Sequence, residues 1–362
     1  MYRLDIYDLT GTKKYEITDN LWLSYTKKVN SSGSMQMGYW GNSSFVAHIE
    51  DKWQVEVYRR LSGTWVRDFV CFYRNLGWEK PDKATATFYF RGLNGFLSMP
   101  IVAYPAETTN RTRFLTQPAE TIAKNLVTYN ATVAGTLLDG RDVAIPNGYP
   151  WSGMSVEADG GLGTSQNWYC TRANLLSTLQ DLASVGGGDF DVVKTSDTTW
   201  QFRWFNGQLG TDRTATVVFA MERDNMGNPR YSEIRAEEKT VAIAGGEGEK
   251  ADRDIEVRTG ENYSTTNHVE MFVNASDVKS KTDGTGGLIT KADEALEEAK
   301  AKSEFSFDVI QVENSRYGIH YFLGDLVTAI NPLTNTSHQV KIDEVTVTYQ
   351  SDGSENIKVG LK

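Results

Sequence analysis

The alternation of apolar and polar positions along this chain predicts a succession of strands separated by short turns. YRLDI at 2–6 alternates with period two, turns at Thr10-Gly11-Thr12 and resumes at 15–17. Residues 21–28 and 34–39 are shorter strand candidates, followed by 45–49, 53–59 and 65–75. Ser62-Gly63 turns the chain between the last two, and ATATFYFR at 84–91, β-branched and aromatic, ends at Gly92. Such strand density belongs to a small β-barrel or sandwich.

The period changes after Leu93. A helix is predicted over about 117–129, with Ile122, Leu126 and Val127 on one face. A second spans 172–185, where Leu175, Leu176, Leu179 and Leu182 make an apolar stripe, and Gly186-Gly187-Gly188 stops it. A Gly/Pro-rich loop at 146–163 separates the two. Strands follow at 190–193, at 200–204 (WQFRW, alternating aromatic and polar) and at 215–221, with turn residues at 206–212. Residues 225–229 are expected to break the chain before a longer strand at 231–244. The stretch 245–267 is polar. A short strand at 269–274, an exposed loop at 279–287 and a charged helix at 288–302 come next. The C-terminus returns to strands at 305–313, 327–330 and 339–350, and a turn at 351–353 leads into a closing hairpin strand at 356–361. No internal repeat of 20–50 residues is visible.

Composition narrows the class. A length of 362 residues suits two to four domains. With 40% hydrophobic and 23% charged residues the chain is an ordinary globular one. The net charge of −10 argues against a dedicated DNA-binding protein, which needs a basic face for the phosphates. Acidity is compatible with a protein that DNA must pass without sticking, and equally with solubility alone. The N-terminus lacks an apolar signal core, and no run approaches 18 apolar residues, so neither a visible export signal nor a membrane span is expected. Cys71 and Cys170 are expected to be buried free thiols rather than a disulfide.

Candidate chemistry is sparse. His48, His268, His320 and His338 form no metal-ligand spacing, and neither cysteine has a histidine near it in sequence. GGEGE at 245–249 is glycine-rich, but its acidic side chains would repel a phosphate, so it reads as a turn. Two carboxylate pairs, Glu222 with Asp224 and Asp189 with Asp191, have the composition of a glycosidase acid and base without its signature. Trp168, Trp200 and Trp204 are compatible with sugar stacking or with core packing. No catalytic, cofactor-binding or metal-binding residue is assigned.

Several segments together resemble the tail-tip or baseplate hub proteins of long-tailed phages, in particular the siphovirus tail-tip hub family. They are LSMPIVAYPA at 97–106, RANLL at 172–176, FDVV at 190–193, GQLGTDR at 207–213, VVF at 217–219 and ERDN at 222–225. The match continues through NP at 228–229, GGEGE at 245–249, YG at 317–318, LGDLVT at 323–328 and the closing hairpin. Their order and spacing carry the likeness, which covers most of the chain beyond about residue 90.

The resemblance implies an α+β, predominantly β fold, in which two β-barrel-like tube domains are interleaved with two smaller α/β peripheral domains. The expected boundaries are 1–92 for the first tube domain and 93–188 for a helix-containing insert. A second tube domain at 189–260 and a C-terminal α+β domain at 261–362 complete the division. It further implies a homotrimer whose six tube domains match a hexameric tube. The implied partners are a distal tail protein ring, the tape-measure protein and receptor-binding or tail-fibre proteins, with DNA passing through the lumen. The implied location is the tail tip of the virion, with no cofactor and no enzymatic activity. The competing readings are a tip protein that binds or hydrolyses envelope carbohydrate, and the hub of a phage-like injection or gene-transfer particle.

Overall fold

Period-two burial organises the first third of the chain. In the computed structural model, which describes residues 1–80, 83–103, 112–132, 151–170, 172–249, 252–276, 278 and 287–362, β1 (Tyr2–Tyr7) buries Tyr2, Leu4 and Ile6. The chain continues through β2 (Lys13–Ile17), β3 (Trp22–Lys28), β4 (Ser34–Trp40), a short helix α1 (Ser44–His48), β5 (Gln54–Leu61), β6 (Thr64–Glu79) and β7 (Thr85–Gly92). Helix α1 replaces the strand expected at 45–49. The Ser43 side chain caps it by accepting from the Phe45 N–H, a local bond that competes with strand pairing.

Then come β8 (Thr112–Pro118), α2 (Ala119–Ala131), β9 (Met154–Val156), β10 (Ser165–Cys170), α3 (Leu175–Gly186), β11 (Gly188–Lys194), β12 (Trp200–Asn206) and β13 (Val218–Phe219). Both predicted helices are present. Gly187 ends α3 in the left-handed region at φ 69°, a conformation that favours glycine. The remaining elements are β14 (Met226–Ile234), β15 (Val241–Gly245), β16 (Ile255–Thr259), β17 (Glu270–Asn274), α4 (Leu288–Glu298), β18 (Lys302–Val309), β19 (Leu326–Asn331), β20 (Thr336–Gln350) and β21 (Glu355–Leu361).

Four strand expectations change here. Only Val218 and Phe219 of 215–221 are strand, and the expected break at 225–229 lies mostly inside β14. The long strand at 231–244 divides into the end of β14 and β15, and β16 forms in the stretch read as polar. Pairing partners distant in sequence decide these cases, and local composition does not reveal them. The loop expected at 279–287 lies almost wholly outside the described residues, as do 146–150 of the Gly/Pro-rich stretch at 146–163, whose remainder includes the short strand β9.

The chain divides into two compact units, residues 1–227 with 308–362, and residues 228–307. In the first, eleven strands make one large sheet in the order β13-β19-β20-β3-β4-β7-β6-β5-β1-β2, with β21 also on β20. The C-terminal β20 therefore pairs with β3 from the first thirty residues. The sheet curls. The Tyr2 ring of β1 lies 4.6 Å from Tyr349 of β20 and 6.4 Å from Tyr25 of β3. The fold is mostly β, but the barrels expected from the resemblance are not closed: among the described residues no closed barrel forms.

Beside the large sheet, α2 and α3 share a core with the three-stranded sheet β11-β12-β9. Ile122, Leu126, Leu175, Leu179 and Leu182 pack with Phe190, Trp200, Phe202 and Trp204. Burying such side chains contributes about 1.5–3 kcal/mol each. The second unit is a three-stranded sheet, β16-β15-β17, with α4 against one face, and a ribbon of β14 and β18.

Candidate functional site

The inner face of the curled sheet carries charge at positions whose phase is apolar. Leu23 and Tyr25 on β3 are followed in phase by Lys27, and Val55 and Val57 on β5 are followed by Arg59, which is only 3% exposed. Asp68 on β6 joins them. Its Oδ1 accepts from Lys27 Nζ at 3.0 Å and from Tyr317 OH at 3.2 Å. Its Oδ2 accepts from Tyr25 OH and lies 3.5 Å from Arg59 Nη1. Arg59 Nη2 meets Glu355 Oε1 of β21 at 2.7 Å, and Tyr2 OH donates to the other oxygen of Glu355 at 3.1 Å. The cluster therefore braces β1, β3, β5, β6 and β21 through side chains. A buried charge is tolerated only with such partners.

Electrostatics lock these groups. Burial alone would raise the Asp68 carboxyl, but Lys27 and Arg59, with hydrogen bonds from Tyr25 and Lys27, hold it below the ordinary carboxylate range. Burial would depress the Lys27 ammonium, yet Tyr317 and Asp68 keep it above its ordinary value. Burial pushes the Tyr317 phenol up to about 12, against the pull of Lys27. With Lys27 charged, Asp68 ionised and Tyr317 neutral across the physiological range, the cluster is suited to bracing and not to shuttling protons.

A cavity of about 240 Å³ opens beside it, lined by Lys27, Arg67, Asp68, Asn94, Asp191 and Lys194 among others. Its cations are engaged: Arg67 and Lys194 each reach Glu56 at 2.9 Å. Asp191 differs. Burial raises its carboxyl to about 6, against Lys27 and hydrogen bonds from the Val192 N–H and Asn94.

The carboxylate pairs singled out in the sequence separate by surroundings. Asp189 is buried and bound by Lys341 Nζ at 2.6 Å, the Leu209 N–H at 2.7 Å and Asn30 Nδ2 at 2.9 Å. Asp191 faces the cavity instead. Glu222 and Asp224 stand on an exposed turn, Asp224 at φ 55°. Trp200 and Trp204 lie in the core, and Trp168 packs against it half-buried. Cys71 is buried and Cys170 half-buried, and they form no disulfide, so the expected burial of Cys170 is corrected to partial: it shares the inward phase with Trp168 and packs at the margin of the α2–α3 core from a sheet of only two strands. Among the described residues no group of three or more His, Cys, Asp or Glu side chains is placed to hold a metal ion, and no helix is long and apolar enough to cross a membrane. The sequence reading missed the Lys27–Arg59–Asp68 cluster. The signal was present in the phase of Lys27 and Arg59, charged residues continuing an apolar face.

Residue pattern and fold now meet the comparisons. The sequence profile of the family described as Siphovirus ReqiPepy6 Gp37-like protein matches residues 3–361. The chain belongs to that family of siphovirus tail proteins. Among solved structures this Gp37-like tail protein is similar to the 43 kDa tail protein of prophage MuSo2 from Shewanella oneidensis. The two share 12% identity at a TM-score of 0.57, covering 100% of this chain and 98% of the other. Prophage tail protein gp18 from Listeria monocytogenes EGD-e gives 9% identity and a TM-score of 0.54 over 99% of this chain and 94% of its own. The lidded Francisella PdpA–VgrG complex gives 6% identity and a TM-score of 0.56, over 100% of this chain and 52% of the matched one. At such identities the likeness shows the fold. No curated protein matches.

Proposed function

We propose that this tail protein is the hub of the tail tip: a homotrimeric ring that closes or continues the tail tube, anchors tip proteins and leaves a channel for DNA ejection. The observation that carries the reading is the end-to-end likeness to a prophage tail protein, 100% of one chain on 98% of the other. In this proposal each subunit contributes two tube-type β-regions, so that three subunits match a sixfold tube. The braced, curled sheet supplies the rigidity such a ring requires.

The expected neighbours are a distal tail ring, the tape-measure protein and receptor-binding fibres. The likeness to a chain of a VgrG complex supports contacts with other tail components, and supports equally the hub of a phage-like injection or gene-transfer particle. The proposed role is structural and not enzymatic. Trp200 and Trp204 are committed to the core, which removes the aromatic platform that a carbohydrate-binding reading requires of them.

Mass photometry of the purified chain, with cryo-EM of assembled tails, tests the proposal. A particle of about 121 kDa, three times the 40.4 kDa chain, and a ring beneath the tube are expected. A chain that stays monomeric, is absent from the ring and degrades peptidoglycan would overturn it.

A further inference from the structure

Lys341, Asp189 and Asn30 bring an amine, a carboxylate and a primary amide together. Asp189 is 2% exposed and stands near the start of β11. Its Oδ1 accepts from Lys341 Nζ at 2.7 Å and from Asn30 Nδ2 at 2.9 Å, so the amine and the amide nitrogen are seated on the same oxygen. Its Oδ2 takes Lys341 Nζ at 2.6 Å and the Leu209 N–H at 2.7 Å. The amide is polarised from its other end, where Asn30 Oδ1 accepts from the Phe190 N–H at 2.7 Å. The Gln180 side chain donates to the Asn30 main-chain carbonyl at 2.8 Å and holds the turn that carries it.

A buried ion pair alone does not need this arrangement. The Lys27–Asp68 contact is completed by the hydroxyls of Tyr25 and Tyr317, which offer the lysine no acyl carbon. At Asp189 the second side-chain donor is an amide, whose carbon is an electrophile. A nucleophile, a carboxylate touching both nitrogens and a backbone N–H on the carbonyl oxygen are the parts of an acyl transfer. A cavity of about 370 Å³, lined by Asn30, Gln180, Asp189 and Lys341 among others, leaves the lysine room to swing onto the amide carbon and gives the leaving group a way out.

We propose that Lys341 and Asn30 join in an intramolecular isopeptide bond, with Asp189 as the proton carrier. Lys341 gives one ammonium proton to Asp189, and the freed Nζ lone pair attacks Asn30 Cγ. The negative charge that develops on Oδ1 is held by the Phe190 N–H. Asp189 passes its proton to Nδ2 and takes a second one from Nζ. The Cγ–Nδ2 bond breaks, the carbonyl re-forms, and ammonia leaves, carrying off that second proton as ammonium. The bond ties β20 to the turn between β3 and β4 and closes the chain from residue 30 to residue 341, a constraint that acts mainly on the unfolded state.

Intact mass spectrometry of the purified, denatured chain tests this. Wild type is expected to lack one ammonia molecule relative to its sequence, and a protease digest to yield the Asn30 and Lys341 peptides as one species. Lys341→Arg keeps the cation but forms no amide, and Asn30→Gly removes the electrophile where the positive φ suits glycine. Asp189→Ala keeps both reacting groups without the carrier. All three are expected to show their full sequence mass, with native far-UV circular dichroism for the first two. Wild type at its full mass overturns the proposal, and so does a bond that still forms in D189A. Loss of water would make Asp189 the acyl donor, and ammonia loss persisting in K341R would place a cyclised asparagine elsewhere; either also overturns it. None of these readouts depends on ring formation, so the hub reading stands or falls separately.

Discussion

Lys341, on the C-terminal strand β20, reaches the Asp189 carboxylate on β11 at 2.6 Å across 152 residues of sequence. Asp189 also accepts from the Leu209 N–H and from Asn30. One carboxylate thus ties the large sheet to the sheet that carries the α2–α3 core. Lys341→Met leaves Asp189 buried without its cation, at an expected cost of about 3 kcal/mol in urea unfolding. Adding Asp189→Asn to that variant should be less than additive, with a coupling of about 1–3 kcal/mol.

Removing the central anion of the inner cluster should be harsher. Asp68→Asn leaves Lys27 in the interior without its carboxylate and Arg59 with Glu355 alone, and a loss of about 3–5 kcal/mol is expected. Lys27→Met combined with Asp68→Leu should recover part of that loss, because two apolar groups replace two buried charges. Asp68 has its carboxyl lowered in the fold, so its stabilisation is complete above the ordinary carboxylate value and is lost as pH falls through the folded one. Denaturation midpoints measured below pH 4 should therefore converge between wild type and the double variant.

Asp191 has the opposite sign. Its carboxyl rises from 3.8 to about 6, so the folded chain holds its proton more tightly than the unfolded chain does. Stability contributed by the protonated form is present below about pH 4 and is lost as pH rises through about 6. Asp191→Asn should match wild type at pH 4 and exceed it at pH 8 by about 1–3 kcal/mol, allowing for screening at the cavity mouth. Urea midpoints at the two pH values decide this, and a variant weaker than wild type at pH 8 would refute it.

Asn225 closes a sheet edge. Its side-chain oxygen accepts from the Ala220 N–H at 2.9 Å and its amide donates to the Val218 carbonyl at 2.9 Å, occupying the outer side of β13 as a neighbouring strand would. Asn225→Ala is expected to cost about 2 kcal/mol and to make aggregation depend on protein concentration, since an edge with free backbone groups recruits other chains. Asn225→Asp, which keeps only the acceptor, should fall between. Light scattering during a thermal ramp separates the three proteins.

The helices α2 and α3 and the strands β1, β3 to β7 and β20 were legible because each repeats its apolar residues at its own period over a full element. Leu175, Leu176, Leu179 and Leu182 specify α3 with no help from elsewhere. The short α1 and β13 were not legible, because a single side-chain bond from Ser43 and a long-range pairing with β19 decided them. The inner cluster was half legible: the phase of Lys27 and Arg59 points them inward, but nothing near them in sequence names Asp68, Tyr317 or Glu355 as their partners.

The chain's own order of residues thus determined the helices α2 and α3, the strands with a full period-two pattern, and the family likeness carried by its motifs. Only the tertiary structure decided that β20 lies beside β3, that the sheet curls without closing, and that Asp189 and Asp191, two residues apart, stand in different surroundings. The physical reason is range. Periodicity and turn chemistry act over a few residues, whereas strand order and the pairing of buried charges are settled by contacts hundreds of residues apart that must be satisfied together.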